Sequence, residues 1–210
     1  MQKTDFNKMV AKKMKDKPFN FDFYNYPLTG KKKYMIIGQN PGDRLFSDQA
    51  EEIDNARIKP EKLSKINLKW LGKYLKKHKF FNDFIEVFCE KSPENEKDYL
   101  CFLKKFYFTD VIKYRNRIII KDDDIKILNE EIKFICPKYI FAFGGEAKKN
   151  MKNIFENNKY RLEKINKIEI NIFEDIEKLI CYLPHYSRRS AQYWPTKYAL
   201  KQIKRICDAN

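Results

Sequence analysis

Short apolar runs alternate with amphipathic segments along this chain, and this alternation is the feature that most narrows the folds open to it. Four runs are too short for buried helices and are bounded by charged residues, glycine or proline: 34–37, 106–112, 139–143 and 179–183. Each has the length and composition of a buried strand. Strands that alternate with helices form a mainly parallel sheet covered on both faces. We therefore expect an α/β protein, a three-layer α/β/α sandwich with a mainly parallel four-stranded central sheet.

The segments between the strands have the apolar spacing of helices. In 60–77, apolar residues recur every three or four positions with lysines between them, which is typical of an amphipathic helix. Isoleucines alternate over 168–172, which favours an edge strand. Residues 1–30 are a basic, aromatic lead-in to which the pattern assigns no element. Further helices are predicted over 124–135 and 146–156, and from near Pro195 onward.

Length and cysteine usage limit the class of protein. The 210 residues suit a single domain over 1–210, and 43% of them are hydrophobic, which suits a globular core. No apolar run is long enough to span a bilayer, and the N-terminus is too polar for a signal peptide. The five cysteines are odd in number and none forms a C-x-x-C pair, so we expect neither disulfides nor a zinc knuckle. The expectation is a cytoplasmic monomer with no metal and no cofactor.

The charge balance points toward a polyanionic partner. Lysine and arginine number 44 against 29 acidic residues, a formal net charge of +15. A field of this size attracts nucleic acid and speeds its encounter with the protein. Only eight of the basic residues are arginines. The lysine excess is also what an AT-rich genome would produce, so charge alone leaves both interpretations open.

Ligands of parallel α/β sheets bind at the carboxyl ends of the strands. In this chain those ends lead into the loops 38–46, 110–117, 144–146 and 184–194. The first of them contains two glycines and a proline within Gly38–Gly42, which predicts a tight turn. These four loops are where we expect functional side chains to gather.

Four segments in these regions contain the ends of predicted strands: IIGQNPG, FTDVIKYRNR, CPKYIFAFGGEA and LPHYSRRS. Taken in order, they resemble the uracil-DNA glycosylase superfamily. IIGQNPG at 36–42 resembles the G-x-x-P-G motif after the first strand, with the asparagine of the mismatch-specific and single-strand-selective branches. FTDVIKYRNR at 108–117 and CPKYIFAFGGEA at 136–147 resemble segments of the iron–sulfur branch. LPHYSRRS at 183–190 is similar to the H-P-S motif after the last strand. Together they span most of the chain.

The resemblance implies a monofunctional DNA glycosylase that flips out a damaged or deaminated base and hydrolyses its N-glycosidic bond. DNA, single- or double-stranded, would be its partner. Asn40 would orient the attacking water and His185 would donate a hydrogen bond to the leaving base. Base-binding residues would be Gly38, Gln39, Pro41, Gly42, Asp110 and Phe46. Nucleic-acid contacts would come from Lys113, Arg115, Arg117, Ser187, Arg188 and Arg189.

The chain departs from the superfamily pattern at several positions. Asp110 stands where the second motif carries asparagine, and Tyr186 replaces the proline that follows the motif histidine. Tyr114 stands where the iron–sulfur branch has a cluster cysteine, and no cysteine precedes Cys89. We therefore expect no cluster. The base-stacking aromatic that follows the first motif is missing, although Phe46 could substitute.

Each functional interpretation has an alternative in which the residue has only a structural role. His185 could be a loop histidine bonded to backbone, Asn40 a residue that tolerates a turn, and Arg188 with Arg189 a solvated pair. Asp110 could turn away to pair with a neighbouring cation. The whole chain could be a superfamily fold that binds a base or nucleotide without cleaving it, or an unrelated basic α/β protein.

Overall fold

A computed structural model of the protein describes residues 1–40, 47–55, 59–115, 117–185 and 192–209. They build one six-stranded mixed sheet flanked by helices. The spatial order of the strands, numbered along the chain, is β2-β1-β3-β6-β5-β4. The strands are β1 (Tyr34–Gly38), β2 (Phe106–Asp110), β3 (Tyr139–Phe143), β4 (Arg161–Ile165), β5 (Ile168–Phe173) and β6 (Lys178–Leu183).

The four predicted core strands are present and adjacent, and β2, β1, β3 and β6 pair in parallel. The expected count of four strands is wrong, because a hairpin extends the sheet beyond β6. The hairpin consists of β4 and β5, which pair antiparallel, and β5 also pairs antiparallel with β6. The predicted edge strand at 168–172 is therefore internal. Its neighbour β4 has the polar sequence RLEKI and lies exposed or half-buried along its length, so it lacks the apolar signal of a strand.

Helices follow the strands on both sides of the sheet. The helix predicted over 60–77 is observed, as are those over 124–135 and 146–156, each with bounds shifted by one or two residues. The lead-in and the aromatic segment before β2 contain helices that the apolar pattern did not predict. The helices are α1 (Lys3–Asp16), α2 (Ser47–Asn55), α3 (Pro60–Lys76), α4 (Lys79–Cys89), α5 (Glu96–Lys105), α6 (Asp122–Ile135), α7 (Gly145–Ile154) and α8 (Lys197–Ala209).

Alternate residues of each core strand enter different hydrophobic clusters, as expected of a sheet buried on both faces. Ile36 of β1 belongs to one cluster, together with apolar residues of α4, α5 and α8. Ile37, its neighbour, belongs to the other cluster, together with residues of α1, α6 and α7. Both isoleucines are fully buried. The layers are therefore helix, sheet and helix, as the sequence predicts.

A bilayer crossing needs a long helix of apolar residues. Among the described residues, no helix has that length and apolar character.

Candidate active site

The first two predicted loops meet at the carboxyl ends of β1 and β2. Gly38 and Asp110 end these strands and face each other in register. Past them, the backbone N–H groups of Val111 and Ile112 donate to the carbonyl oxygens of Gly38 and Gln39, each over 3.0 Å. These bonds continue the pairing beyond the strands. They fix the Asp110 backbone beside the start of the loop at 38–46, the first motif loop.

His185 reaches the same edge of the sheet from β6. It lies two residues beyond Leu183, which is in register with Phe143 of β3. Gly144 follows Phe143 with φ +88°, and a Cβ atom there would stand 3.3 Å from Cδ2 of His185. The histidine thus packs directly against the turn after β3. Because only β3 lies between β1 and β6, the carboxyl ends of β1 and β6 are two strand positions apart, roughly 10 Å at the usual spacing.

The surroundings of His185 favour a neutral imidazole. Burial lowers the pKa of His185 below its ordinary value, because a buried cation loses its hydration. The backbone carbonyl of His185 accepts a 3.1 Å hydrogen bond from Nε1 of Trp194. Trp194 itself packs 5.8 Å, ring centre to ring centre, from Phe80. The indole therefore anchors the backbone that carries the histidine.

Asp110 is a buried carboxyl group, with only 3% of its surface exposed. Oδ2 accepts a 3.2 Å hydrogen bond from the hydroxyl of Tyr24. Oδ1 is buried and has no hydrogen-bond partner among the described residues. Burial raises the pKa of Asp110 to about 7, while the positive charge of Lys113 opposes that rise. Both protonation states of this carboxyl are accessible near neutral pH.

Lys113, expected to contact phosphates, lies in the interior instead. It is 1% exposed, and Nζ donates to Oε2 of Glu131 over 2.5 Å and to the backbone carbonyl of Asp110 over 2.5 Å. Nζ also bonds the hydroxyl of Thr109. The hydroxyl of Tyr107 donates to the other oxygen of Glu131 over 2.7 Å. The ammonium group of Lys113 therefore neutralises a buried carboxylate and is not exposed to a phosphate.

The two described arginines of the same loop are also paired with acids. The guanidinium of Arg115 forms an ion pair with Asp22 and is nearly buried. Arg117 forms an ion pair with Asp124, the N3 residue of α6, and stacks 4.3 Å from the ring centre of Tyr114. Any phosphate contact by these arginines would compete with an existing partner. Their more immediate effect is to fasten the loop to the lead-in and to α6.

The remaining predicted site residues divide between described and undescribed parts of the chain. Gln39 and Asn40 are half-buried and follow β1 directly, so they share the edge of the sheet with Asp110 and His185. Outside the described residues lie Pro41, Gly42, Phe46, Ser187, Arg188 and Arg189.

Two tyrosines join this edge that the sequence analysis did not place there. Tyr24 arrives from the lead-in through its bond to Asp110. Tyr74 of α3 is half-buried, and its pKa is raised by burial and also by the negative charge of Asp110. Its ring centre lies 4.6 Å from that of His78. Both tyrosines are remote from Asp110 in sequence. The one signal that could have drawn attention to Tyr24 is the aromatic run FDFYNY at 21–26.

Metal-ligating side chains are dispersed in the described parts of the chain, where no group of three His, Cys, Asp or Glu side chains is close enough together to hold an ion.

Comparison with known proteins gives a family match over most of the chain. The family model described as Uracil DNA glycosylase superfamily matches residues 26–206, a range that includes all four motif segments and the whole sheet. A search of curated proteins found no match.

Proposed function

The chain belongs to the Uracil DNA glycosylase superfamily, and we propose that it is a monofunctional DNA glycosylase that excises a damaged or deaminated base. The observation that carries this proposal is the arrangement of the carboxyl edge of the sheet. There Asp110 and His185 flank the loop that begins with Gln39 and Asn40. In this proposal a base inserted between them turns the oxygen that gains negative charge toward His185. Its base-pairing edge then faces Asp110.

Cleavage of an N-glycosidic bond leaves positive charge on the sugar and negative charge on the base. A donor aimed at the developing anion contributes most to such a reaction. A neutral His185 can supply one N–H, and its lowered pKa keeps it uncharged near neutral pH. Backbone N–H groups of the first motif loop can add further donors. In this proposal His185 is the anion stabiliser.

Water must then reach the sugar carbon. Asn40, the first-motif residue proposed to hold that water, carries an amide, which orients water but accepts no proton as a strong base would. The enzyme should therefore be slow compared with one that has a carboxylate at this position. The same property supports a second candidate function, a superfamily member that binds a base or nucleotide without cleaving it.

An excision assay separates the two candidates. Single-stranded and duplex oligonucleotides carrying uracil, hypoxanthine, xanthine or a mismatch would be incubated with the protein and then cleaved with alkali. We expect strand breaks at one or more of these bases, and their loss in the His185→Ala variant. Specific binding without any strand break would instead support the binding module, and the absence of both would contradict the proposal.

The salt dependence of binding should show an electrostatic contribution. Each phosphate neutralised by a cation adds about −0.9 to the slope of log K against log salt on duplex DNA. We expect a steep fall in affinity between about 50 and 200 mM KCl, measured by fluorescence anisotropy. Arg188→Gln should reduce the slope by about one if Arg188 contacts a phosphate.

Arg117→Gln is the matched control, because Arg117 is already paired with Asp124. It should change the slope less than Arg188→Gln does. A flat salt dependence, or no binding at low salt, would contradict a phosphate-binding surface.

Asp110 should make uracil a poor substrate at neutral and higher pH. The superfamily asparagine offers uracil both a donor and an acceptor, whereas an ionised Asp110 offers only acceptors and would repel the O4 oxygen. Loss of one arm of such a bidentate contact costs roughly 1–3 kcal/mol. Asp110→Asn should therefore improve uracil excision or binding at about pH 8, above the raised pKa of Asp110.

Below a pH of about 7 the carboxyl group is largely protonated, and its O–H can imitate the amide donor. The advantage of Asp110→Asn over the wild type should then shrink as the pH falls toward about 5. Strong wild-type activity on uracil that neither pH nor the substitution alters would show that Asp110 does not read the base.

A further inference from the structure

The lead-in segment is fastened to the loop after β2 at several points. The backbone N–H of Asp22 donates to the carbonyl of Lys113 over 2.9 Å, and that of Arg115 donates to the carbonyl of Asn20 over 2.8 Å. Between these bonds Phe21 forms an antiparallel bridge with Tyr114. The buried ion pair of Asp22 with Arg115 adds a side-chain link. Residues 20–22 are thereby held by backbone hydrogen bonds and this bridge beside the loop that follows Asp110.

Tyr24 follows this fastened segment and is placed by it. Its ring is 8% exposed and lies edge-on to Phe108 of β2, with ring centres 5.8 Å apart. Its hydroxyl donates to Oδ2 of Asp110 over 3.2 Å. One carboxylate oxygen is thus occupied from within the protein. The other, Oδ1, is buried without a hydrogen-bond partner among the described residues, and such an atom is costly unless a ligand satisfies it.

We propose that Tyr24 is a specificity-determining residue: its hydroxyl occupies one oxygen of Asp110 and leaves the other to accept a hydrogen bond from an amino group of the bound base. This inference rests on the proposed function, since it assumes that Asp110 meets a base. It adds to the proposed function the chemical class of the base that is bound. An ionised Asp110 held in this way favours a base with an exocyclic amino group at that position over one with a carbonyl oxygen there.

Several charged and titratable groups surround Asp110 and set its ionisation. Burial favours the neutral acid, the positive charge of Lys113 opposes it, and the negative charge of Asp22 supports it. The hydrogen bond from Tyr24 and the charge of Arg115 both favour the ionised form, and the hydroxyl of Tyr74 lies within the field of Asp110. Removing the Tyr24 hydroxyl should therefore raise the pKa of Asp110. The acid, which donates to a carbonyl, would then persist to higher pH.

Binding of uncleavable probes tests the inference without requiring excision. Oligonucleotides would carry a 2′-fluoro form of either deoxycytidine, which has an amino group, or deoxyuridine, which has a carbonyl oxygen at the same place. The measured quantity is the ratio of the two affinities, cytosine over uracil, between about pH 5 and 9. In the wild type the ratio should rise about fivefold or more with pH, with a midpoint near pH 7, where Asp110 titrates.

Tyr24→Phe should move this midpoint upward by about one pH unit, because a hydrogen bond to a charged group is lost. Tyr99→Phe is the matched control. Tyr99 is also buried and its hydroxyl donates to the side chain of Asn82, so loss of this hydroxyl should leave the midpoint unchanged. An unshifted midpoint in Tyr24→Phe, or an equal shift in Tyr99→Phe, would overturn the inference.

Asp110→Asn provides a second variant in case Tyr24→Phe does not fold. It removes the titrating group, so the affinity ratio should become independent of pH even though His185 remains. A pH-dependent ratio in Asp110→Asn would also overturn the inference.

A spectroscopic readout separates this inference from the proposed function. In 13C-labelled protein the carboxyl carbon of Asp110, assigned by its absence in Asp110→Asn, should titrate at higher pH in Tyr24→Phe than in the wild type. If neither probe binds at any pH, the selectivity for an amino group is overturned. The excision assay still decides the proposed function, and the titration still tests the Tyr24–Asp110 pair. An unchanged titration would show that the pair does not tune the carboxyl group.

Discussion

Replacing His185 with alanine should lower the rate of base excision by about 100- to 1,000-fold, the usual cost of removing one donor to a developing anion. Affinity for the DNA should change far less, because the anion exists only in the transition state and the substrate offers a neutral carbonyl. Single-turnover kinetics with enzyme in excess measures the chemical step, and anisotropy measures binding.

His185→Gln is the informative comparison. A glutamine amide can donate a hydrogen bond from a similar position, so this variant should recover part of the lost rate. Burial lowers the pKa of His185, so the wild-type imidazole is already neutral at about pH 6.5. Between about pH 6.5 and 8 no further histidine proton is lost, and the excision rate should show no fall that a histidine causes. Equal excision by His185→Ala and the wild type would remove His185 from the mechanism.

The second large effect concerns stability. Lys113→Met should lower the free energy of unfolding by about 3–5 kcal/mol, because it leaves the Glu131 carboxylate buried without its cation. Lys113 and Glu131 are each only 1% exposed, and Glu131 also accepts hydrogen bonds from Tyr107 and Thr109. Urea denaturation gives the comparison directly, provided that the slopes of the two transitions agree.

Lys148→Met is the control for this experiment. Lys148 pairs with Glu169, but both side chains are about one-third exposed, and surface pairs contribute only about 0–1 kcal/mol. Combining Lys113→Met with Glu131→Leu should recover part of the lost stability, because neither charge is then buried alone. The recovery should be incomplete, because the buried hydroxyls of Tyr107 and Thr109 lose their acceptor. If Lys113→Met were no more destabilising than Lys148→Met, the buried pair would not be a structural element.

The core of the sheet could be predicted because its signal is local. Apolar runs such as YMII at 34–37 and YIFAF at 139–143 identify strands without knowledge of their partners. The edge strand β4 could not be found this way, because an exposed strand needs no apolar residues. Helix α1 was missed because its buried residues, Phe6, Val10 and Met14, form a narrow stripe within a strongly basic segment.

Only those residues of the candidate site that follow the ends of predicted strands could be predicted from the sequence. The carboxyl-end rule places Asp110 and His185 on one edge of the sheet. The partners of those residues come from distant segments: Tyr24 is 86 positions from Asp110, and no spacing rule joins them. The cluster KYRNR at 113–117 resembles a basic surface in sequence, yet Lys113 is buried. Its partner Glu131 is 18 positions away on the inner side of α6.

The hairpin of β4 and β5 also governs how this sheet meets its surroundings. Without it, the buried strand β6 would present a row of free backbone donors and acceptors flanked by apolar side chains, a template for pairing with other chains. In the structure that edge is closed by β5, and the outer strand β4 carries Arg161, Glu163 and Lys164. Charged side chains on an outermost strand discourage edge-to-edge growth. The hairpin thus covers one edge of the parallel core with a strand whose charged side chains disfavour pairing with another chain.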